Sequence, residues 1–266
     1  MSVYDLGNRR RGAVRPSPLF LAFVAVAVGG GVLAWFEDGP GSRIGDLGVF
    51  LLVLGGWVVS LCFHEFAHAY AAYRAGDHSV EAAGYLTLNP FKYAHPLLSI
   101  VLPLFFIVQG GIGLPGGAVY LHPHNFRSKA SQSMAAAVGP LTNAVLALVL
   151  IVLAKPHGLT DQHIRFWTGL MFLGFLQVTA AILNLLPIPG LDGWAIIEPY
   201  MDPQTQAGAA KIKPWGMIIV IVLLQFNSTS TAFFNFVDKI FNGVGGSSDM
   251  RIIGYFFFKW WVKNPQ

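Results

Sequence analysis

The chain has 266 residues, of which 54% are hydrophobic and 11% are charged, with a mean hydropathy of +0.56. This balance excludes an ordinary soluble domain and indicates an integral membrane protein in contact with a lipid bilayer. The single cysteine, Cys62, excludes an intrachain disulfide framework and a cysteine-based zinc site. The net charge of +4 comes from cations beside apolar segments, which indicates membrane topology and argues against a nucleic-acid partner.

The first predicted element is a transmembrane helix over residues 18–36, preceded by arginines within the first fifteen residues. Its apolar run is too long for a typical secretory signal, and no small-residue cleavage site follows it before Glu37. Later apolar segments long enough to span a bilayer cover residues 47–72, 134–154 and 164–186, and a shorter fifth one covers 214–226. Residues 231–262 mix aromatic and charged side chains, as either a sixth span with an interfacial tail or two surface segments would.

These segments predict an all-α polytopic membrane protein with about six transmembrane helices. Residues 1–266 are expected to form one membrane domain, with the later spans or an amphipathic tail at 210–266. Residues 96–109 are apolar but short, and Pro103 lies in their middle. We expect them to form a re-entrant or membrane-embedded hairpin between the second and third spans, with strand edges that are paired or wet.

The second predicted span contains the sequence FHEFAHAY, in which His64, Glu65 and His68 follow the pattern H-E-x-x-H. Residues four apart on a helix share a face, so both imidazoles can reach one metal ion while Glu65 stays beside its open position. The alternative is that the three residues only form hydrogen bonds between helices. Because an ionisable group deep in a bilayer costs roughly 2.5 kcal/mol or more, three of them within five residues favour a metal site.

A catalytic zinc ion with two histidine ligands needs a third protein ligand. The candidate is Asp192, which ends the run AILNLLPIPGLDGW, where Pro187, Pro189 and two glycines break the helix. A broken helix end at membrane depth is tolerated where it is buried or wet, and its backbone groups can contact a metal or a substrate. The residues alone are equally compatible with a plain helix end that carries a turn aspartate.

Three stretches together resemble the site-2 protease family of intramembrane zinc metalloproteases, in a minimal form without PDZ or CBS domains. They are HEFAH (64–68), GPLTN (139–143) and NLLPIPGLDG (184–193). The resemblance covers about residues 47–200 and includes the stretch GYLTLNP (84–90). The two metal motifs make this resemblance specific.

The resemblance implies cleavage of the transmembrane helix of a single-span substrate, with Glu65 as the general base. It implies one Zn²⁺ per chain, held by three side chains: His64, His68 and Asp192. It further implies that Asn143 and Asn184 contact the substrate backbone or a developing oxyanion. Both asparagines are equally compatible with hydrogen bonds between helices.

The metal hypothesis constrains the topology, because the three ligands must lie at one depth in the membrane. A cytoplasmic N-terminus places His64 in the inner part of the second span, near the cytoplasmic side. Two crossings, 134–154 and 164–186, return the chain to that side before Asp192. A single crossing of the membrane by residues 96–109 would place Asp192 on the opposite side, so these residues cannot form one. The hairpin could bind an unwound substrate segment as an added strand. The compact chain favours a bacterial cell membrane.

Two other functions are compatible with the same residues. A membrane zinc transporter or metal sensor could use the same His/Asp site, extended by further histidines: His78, His95, His122 and His124. Histidines near a membrane boundary are more often simply solvated. Replacing Glu65 by glutamine separates the hypotheses, because a protease needs the carboxylate for chemistry. An inactive scaffold is disfavoured, since no motif residue is missing.

Overall fold

The computed structural model describes residues 14–93 and 122–262, and the regular secondary structure in these two ranges is helical. The α-helices, in chain order, are α1 (Pro18–Phe36), α2 (Arg43–Ala75), α3 (Ser79–Ala82), α4 (Lys129–Ala154), α5 (Ile164–Asn184), α6 (Asp192–Ile197), α7 (Pro203–Ile212), α8 (Gly216–Gln225), α9 (Asn227–Gly243) and α10 (Ser248–Phe258). Short 3-10 turns lie at Tyr85–Thr87, Pro90–Lys92, Pro123–Asn125, Glu198–Tyr200 and Lys213–Trp215.

Five helical segments of the described residues are long and apolar enough to cross a membrane: α1, α2, α4, α5 and the run Pro203–Gln225, which contains α7 and α8. The predicted all-α polytopic membrane protein is therefore confirmed, with five candidate spans where about six were expected. The difference arises at 231–262, which includes most of α9 and all of α10. These helices have 17 and 11 residues, fewer than the roughly 20 that a span needs. The predicted hairpin at 96–109 falls within residues 94–121, outside the described part of the chain.

The two C-terminal helices cover one side of the central helix α5. α10 packs on α5 so closely that a Cβ on Gly254 would collide with the Thr168 carbonyl oxygen. The rings of Phe258 and Phe172 lie 5.6 Å apart at this contact, and Phe258 is fully buried. One side of these two helices is buried in the bundle, at Val237, Phe241, Met250 and Phe258. Other large apolar side chains of the same helices, such as Phe236, Ile252 and Phe256, are exposed.

Local capping interactions set the ends of the first two spans. Ser17 accepts a hydrogen bond from the Phe20 N–H (3.1 Å) at the start of α1, and Ser42 accepts one from the Gly45 N–H (3.1 Å) at the start of α2. α2 ends at Gly76, whose φ of 115° is in the left-handed region that favours glycine. With 33 residues, α2 is about 50 Å long and extends beyond a ~30 Å hydrocarbon core.

α4 has two faces with different surroundings. Large apolar side chains at three- and four-residue spacing are exposed on one face: Leu141, Val145, Leu148 and Val152. The other face has buried residues at four-residue spacing, which are small or polar except for the last: Ala135, Gly139, Asn143, Ala147 and Ile151. A surface this apolar suits lipid contact, so α4 faces the bilayer on one side and the bundle on the other.

A buried arginine joins the α1–α2 turn to the start of α5. Arg165 is 3% exposed, and its Nε donates to Asp46 Oδ1 (2.7 Å). Its Nη1 donates to the Gly39 carbonyl (3.0 Å), while Asp38 accepts from the backbone N–H groups of residues 164 and 165. Asp46 precedes His64 by 18 residues, so this cluster lies about 27 Å along α2 from the histidine motif.

Glycines allow α1 and α2 to pack closely. A Cβ on Gly30 would lie 2.7 Å from the Gly48 carbonyl oxygen, whereas a Cβ on the neighbouring Gly29 would meet nothing within 4 Å. The two positions differ only in the face of α1 on which they lie. They therefore form a matched pair for testing the helix contact.

We expect Gly30→Ala to lower the free energy of unfolding in detergent by about 1–3 kcal/mol, because the added methyl group forces the helices apart. Gly29→Ala is expected to leave stability unchanged or raise it by about 0.5–1 kcal/mol, since alanine favours the helix. Thermal unfolding of the two purified variants measures this. Equal stability of the two would show that α1 and α2 are not in close contact at Gly30.

Candidate metal centre

Three side chains from two helices converge on one point. His64 and His68 lie on α2, and Asp192 is the first residue of α6. The two Nε2 atoms lie 3.0 Å apart, and Asp192 Oδ2 lies 3.2 Å from His64 Nε2 and 3.4 Å from His68 Nε2. Among the described residues, these three are the histidine, cysteine and acidic side chains close enough to share a metal ion.

The separations fit tetrahedral zinc. Zinc binds nitrogen and oxygen ligands at about 2.0–2.2 Å, so neighbouring ligand atoms of a tetrahedral ion lie about 3.3 Å apart. Asp192 Oδ2 is buried and makes no hydrogen bond within the described part of the chain, although two ring nitrogens face it. An ion at this point would give the oxygen and both nitrogens a common partner.

The second ring nitrogen of each histidine is fixed by α4. His64 Nδ1 donates to Asn143 Oδ1 (2.7 Å), and His68 Nδ1 donates to the Ala135 carbonyl (2.6 Å). With protons on both Nδ1 atoms, the Nε2 lone pairs face Asp192. Metal-binding histidines in proteins are oriented in this way. Pro140 lies in α4 between the two contacts and cannot donate to the carbonyl four residues before it.

Gly139 leaves room for the metal. A Cβ at this position would collide with His68 Nε2 and would lie 2.8 Å from His64 Nε2. Any side chain here would occupy the space between the two ligand nitrogens. The glycine of GPLTN therefore has a steric role beside the histidines.

Asp192 is placed by a turn and by contacts of α6. The turn after α5 contains Gly190 with φ of 103°. A Cβ on Gly193 would collide with the Leu185 carbonyl, so α6 packs tightly against the end of α5. The Ser133 hydroxyl of α4 donates to the Ile196 carbonyl (2.6 Å) and ties α6 to the helix that orients the histidines.

The remaining predicted site residues surround the same centre. Glu65 follows His64 on α2 and is 2% exposed. Asn184, at the end of α5, is buried beside a small cavity with these lining residues: Trp57, Ser60, Leu61, His64, Asn143, Ala180 and Asn184. The observed partner of Asn143 is His64, the interhelical hydrogen bond that was one of its two interpretations. Substrate contact by either asparagine stays a prediction.

Three features of the centre were not predicted from the sequence. They are the Ala135 carbonyl, the Ser133 hydroxyl and the steric role of Gly139. The spacing of Ala135, Gly139 and Asn143, four residues apart, could have placed them on one face of α4. Of the further histidines considered for a transport path, the three in the described part of the chain lie outside this group. His78 packs against Tyr73, His122 contacts Ser79 (2.9 Å), and His124 lies in the turn Pro123–Asn125. His95 lies outside the described residues.

Curated proteins similar to this chain are named as zinc metalloproteases. The chain is 48% identical over 251 residues to zinc metalloprotease Rip2 of Mycolicibacterium smegmatis, which covers 94% of the chain and 96% of the relative. It is 44% identical over 253 residues to Rip2 of Mycobacterium tuberculosis strain H37Rv, at 95% and 96% coverage. It is 32% identical over 173 residues to zinc metalloprotease YwhC of Bacillus subtilis, at 62% and 76% coverage.

The chain belongs to the site-2 protease family of zinc metalloproteases. No family model matches it, and no solved structure does. Family membership makes zinc the metal of the protein, and His64, His68 and Asp192 form a possible site for it. The predicted zinc cofactor and the predicted metalloprotease class are thereby confirmed.

Gly139→Ala is expected to abolish zinc binding by this site-2 protease, because the methyl group would fill the space between the histidine nitrogens. Zinc content of the purified protein should fall from about one ion per chain to nearly none. Gly208→Ala is the control, since a Cβ there meets nothing within 4 Å. Full zinc content in the Gly139 variant would mean that the metal does not lie between these imidazoles.

Asn143→Leu should weaken zinc binding by about 10–100-fold, because His64 Nδ1 loses its acceptor while the number and branching of the side-chain heavy atoms stay the same. Asn143→Asp replaces the amide oxygen by a carboxylate oxygen, which also accepts from His64 Nδ1, and this variant should bind zinc as tightly as the unchanged protein or more so. Competition with a chelator measures both affinities. Equal zinc affinity in the leucine variant and the unchanged protein would show that His64 is oriented by other contacts.

Proposed function

We propose that this chain hydrolyses peptide bonds in the transmembrane segments of single-span membrane proteins. The proposal assigns zinc binding to His64, His68 and Asp192, and general-base catalysis to Glu65. The observation that carries it is the placement of these four residues inside a bundle of apolar spans. A peptide bond that reaches them must come from a segment within or beside the bilayer.

The chain's own residues account for the proton transfers. His64, His68 and Asp192 would hold the zinc ion, which when bound would acidify a water molecule and polarise the scissile carbonyl. The Glu65 carboxylate takes a proton from the attacking water and then delivers it to the leaving amine. Its burial, at 2% exposure, excludes bulk water that would compete for the same proton.

Asn143 and Asn184 are the proposed substrate contacts. Asn143 Oδ1 is occupied by His64, which leaves the side-chain NH2 group to donate to a substrate carbonyl or a developing oxyanion. Asn184 lines the same small cavity, together with His64. Peptide bonds of an intact helix are hydrogen-bonded internally, so a substrate segment must unwind before its carbonyl can meet these donors.

The orientation proposed for the chain places its N-terminus and the zinc site near the cytoplasmic side of a bacterial cell membrane. The Arg127 N–H donates to the Ala75 carbonyl (3.2 Å), so α4 begins beside the end of α2. Arg74, Arg127 and Lys129 consequently lie at one end of the bundle, and Asp38 and Asp46 lie at the other. This distribution supports a positive-inside orientation. We further propose that residues 1–266 form one membrane domain.

The test compares the unchanged chain, Glu65→Gln and Asp192→Ala in detergent with a single-span test substrate. Glu65→Gln should retain zinc but lose cleavage by about 10²–10⁴-fold, because glutamine cannot accept the proton. Asp192→Ala should lose zinc and, with it, cleavage. Zinc content and the rate of substrate cleavage are measured on the same samples.

Undiminished cleavage by Glu65→Gln would contradict the catalytic assignment. Tight zinc binding without cleavage of any substrate would favour the transporter or sensor instead. Zinc uptake into proteoliposomes that contain the Glu65→Gln variant separates these outcomes, since a transporter tolerates the glutamine.

A further inference from the structure

Asp77 is a buried acidic residue outside the metal centre. It follows α2 by two residues, nine positions after His68, and is 0% exposed. Its carboxylate accepts four hydrogen bonds: from the Ser79 N–H (3.2 Å), the Ser79 hydroxyl (2.5 Å), the His122 N–H (2.9 Å) and Asn125 Nδ2 (2.9 Å). An isolated buried carboxylate is costly, so this complete set of donors indicates a specific task.

Two of these donors belong to the chain that leads into α4. His122 and Asn125 lie more than forty residues after Asp77, directly before the start of α4. The contact is strengthened by the Arg127 N–H, which donates to the Ala75 carbonyl (3.2 Å). The two segments also pack closely, since a Cβ on Gly76 would lie 2.8 Å from the Asn125 carbonyl oxygen.

The charged groups around Asp77 favour the same attachment. His122 Nδ1 lies 3.7 Å from Asp77 Oδ2 and donates to the Ser79 hydroxyl oxygen (2.9 Å). The Arg127 side chain lies against Gly76. Burial would raise the pKa of Asp77, but the hydrogen bonds from Ser79, His122 and Asn125 outweigh burial and lower it. The carboxylate is therefore ionised, and both of its oxygens accept hydrogen bonds.

We propose that Asp77 is a positioning residue for the metal centre, and that it acts by holding His122 and Asn125 on the end of α2. This attachment fixes the start of α4 relative to α2. Ala135 lies ten residues after Asn125 on the same chain, and its carbonyl orients His68 of α2. The two helices that must keep this 2.6 Å contact are thus joined at one end by a carboxylate. The role rests on the zinc site and the function proposed above.

The experiment measures the rate at which zinc is released to a chelator from the full-length protein. Asp77→Asn replaces an accepting oxygen by a donor that faces the His122 or Asn125 N–H. We expect release to become roughly 10-fold faster, as for other residues that orient metal ligands. Zinc release does not require proteolysis. If the protein binds zinc but cleaves no substrate, the proposed proteolytic function is contradicted, and the zinc-release rates still test the positioning role of Asp77.

Asn125→Asp provides a second variant with a pH signature. Two adjacent carboxylates repel when both are ionised, and one of them takes up a proton at a raised pKa and then donates as the amide did. The ratio of zinc release from the variant to that from the unchanged protein should be raised at about pH 8 and should return toward one at about pH 5.5. A merely structural weakening would not reverse on acidification.

Asn242→Asp is the matched control for the added charge. The Asn242 side-chain oxygen accepts from the Ser248 hydroxyl (3.1 Å), a contact that aspartate keeps, so the ratio should stay near one at each pH. The proposal is overturned if Asp77→Asn and Asn125→Asp both release zinc at the rate of the unchanged protein. It is also overturned if the ratio of zinc release from Asn125→Asp to that from the unchanged protein does not change with pH. This second measurement tests the proposal even if Asp77→Asn fails to fold.

Discussion

The convergence of His64 Nε2, His68 Nε2 and Asp192 Oδ2 within 3.4 Å is the interaction on which the rest of the structure depends. Ionisable groups in an apolar bundle are unstable unless they are paired, hydrogen-bonded or bound to a metal. The bundle satisfies this constraint by giving each ring a second partner, so that both lone pairs face one carboxylate. Zinc is the metal of the family, and its tetrahedral geometry matches the three separations.

α4 organises this centre from its buried face. Ala135 and Asn143 orient the two imidazoles, and Gly139 between them leaves the space that an ion needs. Ser133 connects the same helix to α6, which begins with Asp192. Because one helix contacts both elements that carry the candidate metal ligands, a shift of α4 would disturb all three side chains together. The exposed side of α4 presents large apolar side chains, so the position of the helix is determined by its buried side and by its ends.

The sequence predicted the bounds of four spans, α1, α2, α4 and α5, to within five residues at each end, because apolar run length and capping residues are local properties. His64 and His68 followed from helical spacing, whereas Asp192 required both a broken helix and a family resemblance. The packing of α9 and α10 on α5 was not predicted, since mixed aromatic and charged residues suit either lipid or protein contact. The bond from His68 to the Ala135 carbonyl could not be predicted either, because a backbone acceptor has no side-chain signature.

Zinc K-edge X-ray absorption of the purified protein tests the central claim most directly, because it reports the atoms bound to the metal. The account predicts two imidazole rings and oxygen ligands, one of them from Asp192, at about 2.0–2.2 Å. A sulfur ligand at about 2.3 Å, which only Cys62 could provide as a thiolate, or a spectrum with fewer than two imidazoles, would contradict it.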